Sequence, residues 1–407
     1  MANRRRLRWG GLLLLIALSA GELQVAAQTE APPVSPPYAS MDPATVNYRG
    51  AGREKSRDIP GVAVHIGLLL PLQGKRAREG KLLWQAAQIA IDRENRAEPP
   101  AKGQRFVLAV EDESGPWGQA SNAMVRLILQ DEAVALITST DGNIAHQAEQ
   151  IANKLGIAVV TLSSDPTTTR INIPWIFRAG PSDAEQAHAI AERIYGVSKL
   201  ARVLLITESG HDGRIGVEEF LKASLSLQDV APIRLELNAE APFTDAQERE
   251  LGLTKPDAIV IWTSSSLANQ LLPVIRRAEP TTTIFLCQKA ADFLPRKDSE
   301  AAGRDSLIFT MEPEAGDAEF VREYRDRTGE SPGIAAQQIE NAVRAIADAV
   351  RRAGVNRARV RDRLAASAAG ELKAGVVGFD IAGNLRAKTR FVRVELRPEN
   401  EVAVAPH

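Results

Sequence analysis

From Val62 onward the chain alternates short aliphatic runs with longer amphipathic stretches, and this cadence constrains the fold more than any other feature. Strands are predicted at Val64–Leu70, Phe106–Val110, Val134–Ile137 and Ala158–Leu162, with helices between them at Gly80–Asn95, Gln119–Leu129 and Ile144–Leu155. In the third helix Ile144, Ala148, Ile151 and Leu155 recur at helical spacing, so one face is apolar. Strands that are apolar throughout and alternate with such helices imply a parallel sheet covered on both sides.

The cadence restarts after Pro181 and Ser182. Helices are predicted at Ala184–Tyr195, Ile215–Leu225 and Leu267–Arg277, and strands at Val203–Thr207, Ile233–Leu237, Asp257–Trp262 and Thr283–Cys287. Two successive runs of this type predict an α/β protein of two doubly wound parallel-sheet lobes, which suits a length of 407 residues. After Glu312 the pattern is mainly helical (Asp317–Arg327, Gln337–Arg352, Val360–Ser367) and ends in an extended piece, Arg390–Leu396, able to return to a sheet.

The N-terminus reads differently. Arg4, Arg5, Arg6 and Arg8, the apolar stretch Gly10–Ala20 and the small residues Val25-Ala26-Ala27 have the layout of a cleavable export signal, cut after Ala27. The paired arginines also permit a twin-arginine route. No later segment approaches the ~20 apolar residues of a membrane span, so a mature chain in the periplasm or secreted is expected. Gln28 to Pro60, rich in Pro, Ala and charge, is expected to be a disordered or extended linker. The net charge of −1 offers no attraction to nucleic acid or anionic lipid. The single cysteine, Cys287, excludes an intramolecular disulfide and is expected to be a buried small residue at a strand end.

Motifs for catalysis are missing. The five histidines (His65, His146, His188, His211, His407) show no zinc-ligand spacing, and there is no nucleophile elbow, P-loop or dinucleotide fingerprint. Gly210, Gly213 and Gly216 read as a tight turn opening a helix. No catalytic residue, metal or cofactor is therefore expected. What the sequence offers instead is a set of polar residues just after the strands, where open parallel sheets bind ligands. These are Ser139, Thr140, Asp141, Gly142 and Asn143 after the third strand, and Ser163, Ser164 and Asp165 after the fourth. Asp212, Ser264 and Lys289 follow strands of the second lobe, and Glu79 opens the first helix. Short hydroxyls and helix-opening amides suit a small polar or anionic solute, although Ser, Thr, Asp and Asn at helix starts are also ordinary N-caps.

The run Ile66-Gly67-Leu68-Leu69-Leu70-Pro71-Leu72, followed by Gly74, Ala77 and Gly80, resembles the opening of the periplasmic leucine/isoleucine/valine-binding proteins. Glu149-Gln150 with Leu155-Gly156-Ile157, then Phe177-Arg178 with Pro181-Ser182-Asp183, Gly213 to Phe220, Phe320 and Tyr324 with Pro332, and Gly378-Phe379-Asp380 with Gly383-Asn384 are similar to later parts of the same family, from about Val62 to Leu396. The resemblance implies a type 1 periplasmic solute-binding fold, its lobes joined by several crossovers and closing on a solute that passes to an ABC permease. It also implies a lobe division: residues 62–180 with about 312–352 in the N-terminal lobe, and 181–311 with about 353–396 in the C-terminal lobe. The family's cleft serine falls at Asp141 or Gly142, its tyrosine at Asp212, and its acidic residue for the ligand's amino group near Lys289. These departures mark a divergent branch with an amino acid-like or carboxylate solute, and they leave His146 either touching that solute or satisfied between the lobes. Ile66–Leu72 also resembles envelope proteins that activate peptidoglycan synthases, which leaves a regulator acting through a protein partner as the alternative.

Overall fold

The computed structural model describes Tyr48 and residues 50–394 except 117, 172, 239–243, 245–246, 248, 250–252, 295–307, 314–316, 367–377, 381 and 387–388. The expected signal at 1–27 and the linker as far as 47 lie outside the described residues.

Two sheets carry the chain. The first has strands β1 (Ala63–Leu70), β2 (Arg105–Asp112), β3 (Ala135–Thr138), β4 (Ala158–Thr161) and β5 (Ile176–Arg178), all parallel, in the order β2-β1-β3-β4-β5. β5, only three residues long, is too short for a periodic pattern to reveal. The second sheet has β6 (Val203–Glu208), β7 (Ile233–Leu237), β8 (Ala258–Trp262), β9 (Thr283–Leu286), β10 (Ile308–Pro313) and β11 (Thr389–Arg393), in the order β11-β10-β9-β8-β6-β7. Among the described strands only β11 runs antiparallel to its neighbour.

Side chains of β1 alternate between the two faces of the first sheet. Val64, Ile66, Leu68 and Leu70 enter one core with helices α1 (Ala77–Ala97), α10 (Ile334–Ala353) and α11 (Arg357–Ala366), whereas Leu69 points into another with α2 (Gln119–Leu129) and α3 (Gly142–Leu155). The second sheet packs in a core of its own with α5 (Asp183–Ala191), α6 (His211–Leu225), α7 (Ser265–Ala278) and the short α8 (Gln288–Ala291). Helix α9 (Ala318–Thr328) returns to α1, and α4 (Thr167–Arg170) follows β4. The chain thus passes from the first sheet to the second after β5, back after β10, and over again before β11.

Two expectations need correction. Residues 353–396 do not all join the second lobe. Helix α11 buries Val360, Leu364 and Ala365 in the first core, and the turn after it places Phe379 there, 5.1 Å from Phe177, while Arg178 donates to Asn384 Oδ1 at 2.6 Å. Among the described residues of this stretch, β11 and Val394 cross over to the second sheet and its core. Nor is 28–60 a free linker along its whole length. Trp175 Nε1 donates to the Ala51 carbonyl at 2.9 Å, Arg53 pairs with Asp362 at 2.8 Å, and Ile59 enters the first core. With few apolar side chains in that segment, hydrogen bonds and ion pairs fix it, and these leave no periodic trace.

Candidate functional site between the lobes

In both sheets the strand order reverses direction once, between β1 and β3 in the first and between β6 and β8 in the second, and ligands of doubly wound sheets sit at such points. The two points face each other. A cavity of about 630 Å³ between them is walled on one side by residues following β1 and β3, including Arg76, Glu79, Thr140 and Asp141. Across from these stand residues ending or following β6, β8 and β9, including Glu208, Ser264 and Lys289, with Leu267 and Phe293 as apolar wall.

Glycine brings the helices this close to the strand ends. A Cβ on Gly80 would lie 2.0 Å from the Pro71 carbonyl oxygen, and one on Gly213 would lie 1.8 Å from that of Glu208. Each lobe therefore seats a helix on the carbonyl that ends or follows its strand, which only glycine permits.

Arg76 is the centre of the first wall. Its Nε and Nη2 donate to both oxygens of Glu79 at 3.0 and 2.7 Å, and Nη1 reaches Asp141 Oδ2 and Glu113 Oε1, both at 3.1 Å. Burial opposes its charge, but the carboxylates of Glu79 and Asp141 outweigh it and hold the guanidinium above its usual range. Behind it Glu113, 6% exposed, also accepts from Ser139 Oγ at 2.7 Å. Burial pushes the Glu113 carboxyl up to about 8 despite the pull of Arg76, so it carries a proton at neutral pH. Asp141 is resisted by burial too, yet Lys289, Arg76 and the amides of Ile144 and Asn143 keep its carboxyl below the usual range. On the other wall Lys289 is ion-paired to Asp212, and burial is again outweighed, by Asp212 and Asp141, so the ammonium is held up.

Beside the cavity the lobes touch directly. The Gly142 amide donates to Asp212 Oδ1 at 3.2 Å. His211 Nε2 stands 2.6 Å from Asp165 Oδ2, and the same oxygen lies 3.0 Å from His146 Nε2. His146 Nδ1 meets Glu149 Oε1 at 2.8 Å. Hydrogen bonds donated to Asp165 and Glu149 hold the His146 ring up to about 10, so at neutral pH it is an imidazolium between two acidic side chains. Asp165 is held well below the carboxylate range because its bonds to His146, Thr167 and His211 overcome its burial.

Of the residues singled out from sequence, Glu79, Thr140, Asp141, Ser264 and Lys289 wall the cavity. Ser139 lies behind it, bonded to Glu113. Gly142 and Asp212 form the lobe contact, and Asp165 the histidine cluster. Ser163 is buried and accepts from the Asp165 amide, while Ser164 accepts the Asp183 amide at the first crossover. Asn143 is exposed, its amide capped by Asp141. Cys287 is buried, its Sγ capping α8 at Ala290 N, and burial pushes the thiol up to about 12. Sequence reasoning missed Arg76 and Glu113; the signal was a basic cluster, Lys75, Arg76 and Arg78, at the turn after β1.

Two lobes, each built on a doubly wound sheet, thus meet around a polar cavity at their switch points. The chain belongs to the periplasmic binding protein family, whose model matches residues 63–395, and it is a divergent member of the type 1 group. A Leu/Ile/Val-binding protein, BraC3, of Rhizobium johnstonii is 24% identical over 171 residues, 42% of this chain and 46% of that one. The chain thus spans less than half the length of the curated relatives it matches. The branched-chain amino acid binding protein LivJ of Streptococcus pneumoniae, solved with isoleucine, superposes with a TM-score of 0.68 at 18% identity, covering 82% of this chain and 96% of LivJ. A solute-binding protein of R. palustris, solved with benzoate, superposes at 0.70 and 18% identity, covering 82% and 93%. Among the described residues no helix is long and apolar enough to cross a membrane.

Proposed function

We propose that this chain is the solute-capturing component of an ABC-type importer, working outside the cytoplasm and handing a small amino acid-like or carboxylate solute to a membrane permease. The observation that carries the reading is the cavity walled by both lobes at the carboxyl ends of their strands. Its volume falls in the ordinary range for small-molecule sites, roughly 300–1,000 Å³. Acidic and basic walls balance: Lys75, Arg76, Arg78 and Lys289 stand with Glu79, Asp141, Glu208 and Asp292. Such a lining suits a zwitterion, whose carboxylate is drawn to the basic groups and whose ammonium is drawn to the acidic ones. Isoleucine and benzoate, the ligands of the two structural neighbours, share a carboxylate on an apolar body. Leu267 and Phe293 offer a place for such a body here.

A thermal-shift screen of amino acids and small carboxylates on the purified protein, followed by calorimetry, tests this. One class should raise the melting temperature, and Asp141→Ala, Asp212→Ala and Lys289→Ala should each weaken its binding at least tenfold. If no solute moves the transition while a pull-down from envelope extract retains a peptidoglycan synthase, the importer reading fails.

A further inference from the structure

The cluster that joins the lobes beside the cavity is built like a metal site. Nε2 of His146 and Nε2 of His211 converge on one oxygen, Asp165 Oδ2, at 3.0 and 2.6 Å, and all three atoms lie within 4.8 Å of one another. Two of the three donors are oriented from behind. Glu149 Oε1 holds His146 Nδ1 at 2.8 Å, the carboxylate–imidazole pairing that fixes the tautomer of a metal-bound histidine. The second Asp165 oxygen, Oδ1, accepts from Thr167 N at 2.8 Å and Thr167 Oγ1 at 2.7 Å, so Oδ2 is directed at the imidazoles. Asp165 is buried, whereas the histidine side chains are 26% and 22% exposed, which leaves a path for an ion and a water ligand.

We propose that His146 and Asp165 of the first lobe and His211 of the second form a transition-metal site that closes across the lobes and takes Zn²⁺ or a similar borderline divalent ion. Two imidazoles and one carboxylate suit zinc and its neighbours, whereas Mg²⁺ and Ca²⁺ prefer shells of oxygen. Tetrahedral zinc with bonds of roughly 2.0–2.1 Å holds its ligand atoms roughly 3.3 Å apart. The N···O separations must therefore widen by on the order of 0.5 Å, within reach of a carboxylate rotation, and Thr167 Oγ1, 3.0 Å from His146 Nε2, must give way to the ion. The metal replaces the protons that the imidazoles share with Asp165. Because one ligand comes from the other lobe, the ion binds the closed form best and draws the population toward it. None of the three residues walls the solute cavity, so the site stands independently of the solute reading.

The test is calorimetric titration of the chelator-treated full chain with ZnCl₂, with MgCl₂ and CaCl₂ as contrasts. One Zn²⁺ per chain should bind with a Kd in the micromolar range or tighter and raise the melting temperature. Binding should weaken at least tenfold in His146→Ala and in His211→Ala, and be unchanged in His188→Ala, which alters an exposed histidine. Co²⁺ should give the visible bands of a tetrahedral site in the wild type, and His211→Ala should lose them. No Zn²⁺ binding by the wild type, or binding as tight as wild type in either histidine variant, overturns the proposal. Solute screening with chelator present reads the other proposal separately.

Discussion

Glu113 offers the sharpest quantitative test of how the first wall of the cavity is built. Its carboxyl is raised by burial from 4.5 to about 8 in the folded chain. A carboxyl raised in the folded state keeps its proton there after the unfolded chain has released its own. Stability from this group is therefore full below about pH 4.5 and is lost as pH climbs toward 8. At 1.36 kcal/mol per pH unit the whole interval amounts to about 5 kcal/mol, and the stretch from pH 5 to pH 8 to about 4 kcal/mol. These are ceilings, because water entry or a shift of Arg76 on ionisation would reduce them. Glu113→Gln keeps the shape and the acceptor for Ser139 and Arg76 but cannot titrate. Groups common to both proteins cancel in the difference between them.

The assay is thermal or urea unfolding of both proteins at intervals from pH 5 to pH 8. Wild type should lose stability relative to Glu113→Gln across this range, by several degrees of melting temperature at the ceiling. A protonated-carboxyl stretch in the infrared should be present in wild type at neutral pH and absent from the variant. Arg76→Met, which removes the neighbouring cation, should move that band's titration to still higher pH. Parallel pH curves for wild type and Glu113→Gln would refute the assignment of a neutral buried acid behind Arg76.

Other consequences are as direct. A Cβ on Gly142 would lie 2.4 Å from Asp212 Oδ1 and 2.9 Å from His211 Cδ2, so Gly142→Val should wedge the lobes apart, increasing the radius of gyration in solution scattering without lowering the unfolding temperature by more than a few degrees. Trp175→Phe removes the bond to the Ala51 carbonyl; it should cost about 1 kcal/mol and speed proteolysis within residues 50–60. Arg78→Ala removes an exposed pair with Glu330, and a loss of under about 1 kcal/mol in urea unfolding is expected.

The parts of this molecule that were legible in sequence are those written in local periodicity. Apolar strands such as Leu68–Leu70 and the Ile144–Leu155 face announce a doubly wound sheet because burial on two sides leaves no room for alternation. The strand ends were legible for the same reason, and four of the residues chosen there, Thr140, Asp141, Ser264 and Lys289, lie in the wall of the cavity. What local pattern cannot supply is pairing across distance. His146 and His211 stand 65 positions apart in the chain, and no ligand-spacing rule sees them, yet folding brings both nitrogens to a single carboxylate oxygen. Asp212 read as a cavity residue because it follows a strand, but the neighbouring ammonium of Lys289 and the bare Gly142 backbone turn it into a contact between lobes.

Helix α11 shows the converse error. The resemblance puts it, with residues 353–396, in the C-terminal lobe, and its sequence, RARVRDRLAA, carries four arginines. Arg361 is nonetheless wholly buried, donating to the Pro174 carbonyl at 2.7 Å and to Asp362 at 2.9 Å, and Arg357 donates to the carbonyls of Ala133 and Ile128. A guanidinium can be taken out of water when fixed carbonyls and carboxylates meet its donors, and here the three carbonyls, though not the adjacent Asp362, come from far away in the sequence. Arg76 was overlooked on the same ground, since Glu113 and Asp141 become its partners only once β1, β2 and β3 lie side by side. In this fold the apolar residues specify where the strand ends will be, and buried charges, each needing partners that only the assembled sheet can bring, specify what those ends can hold.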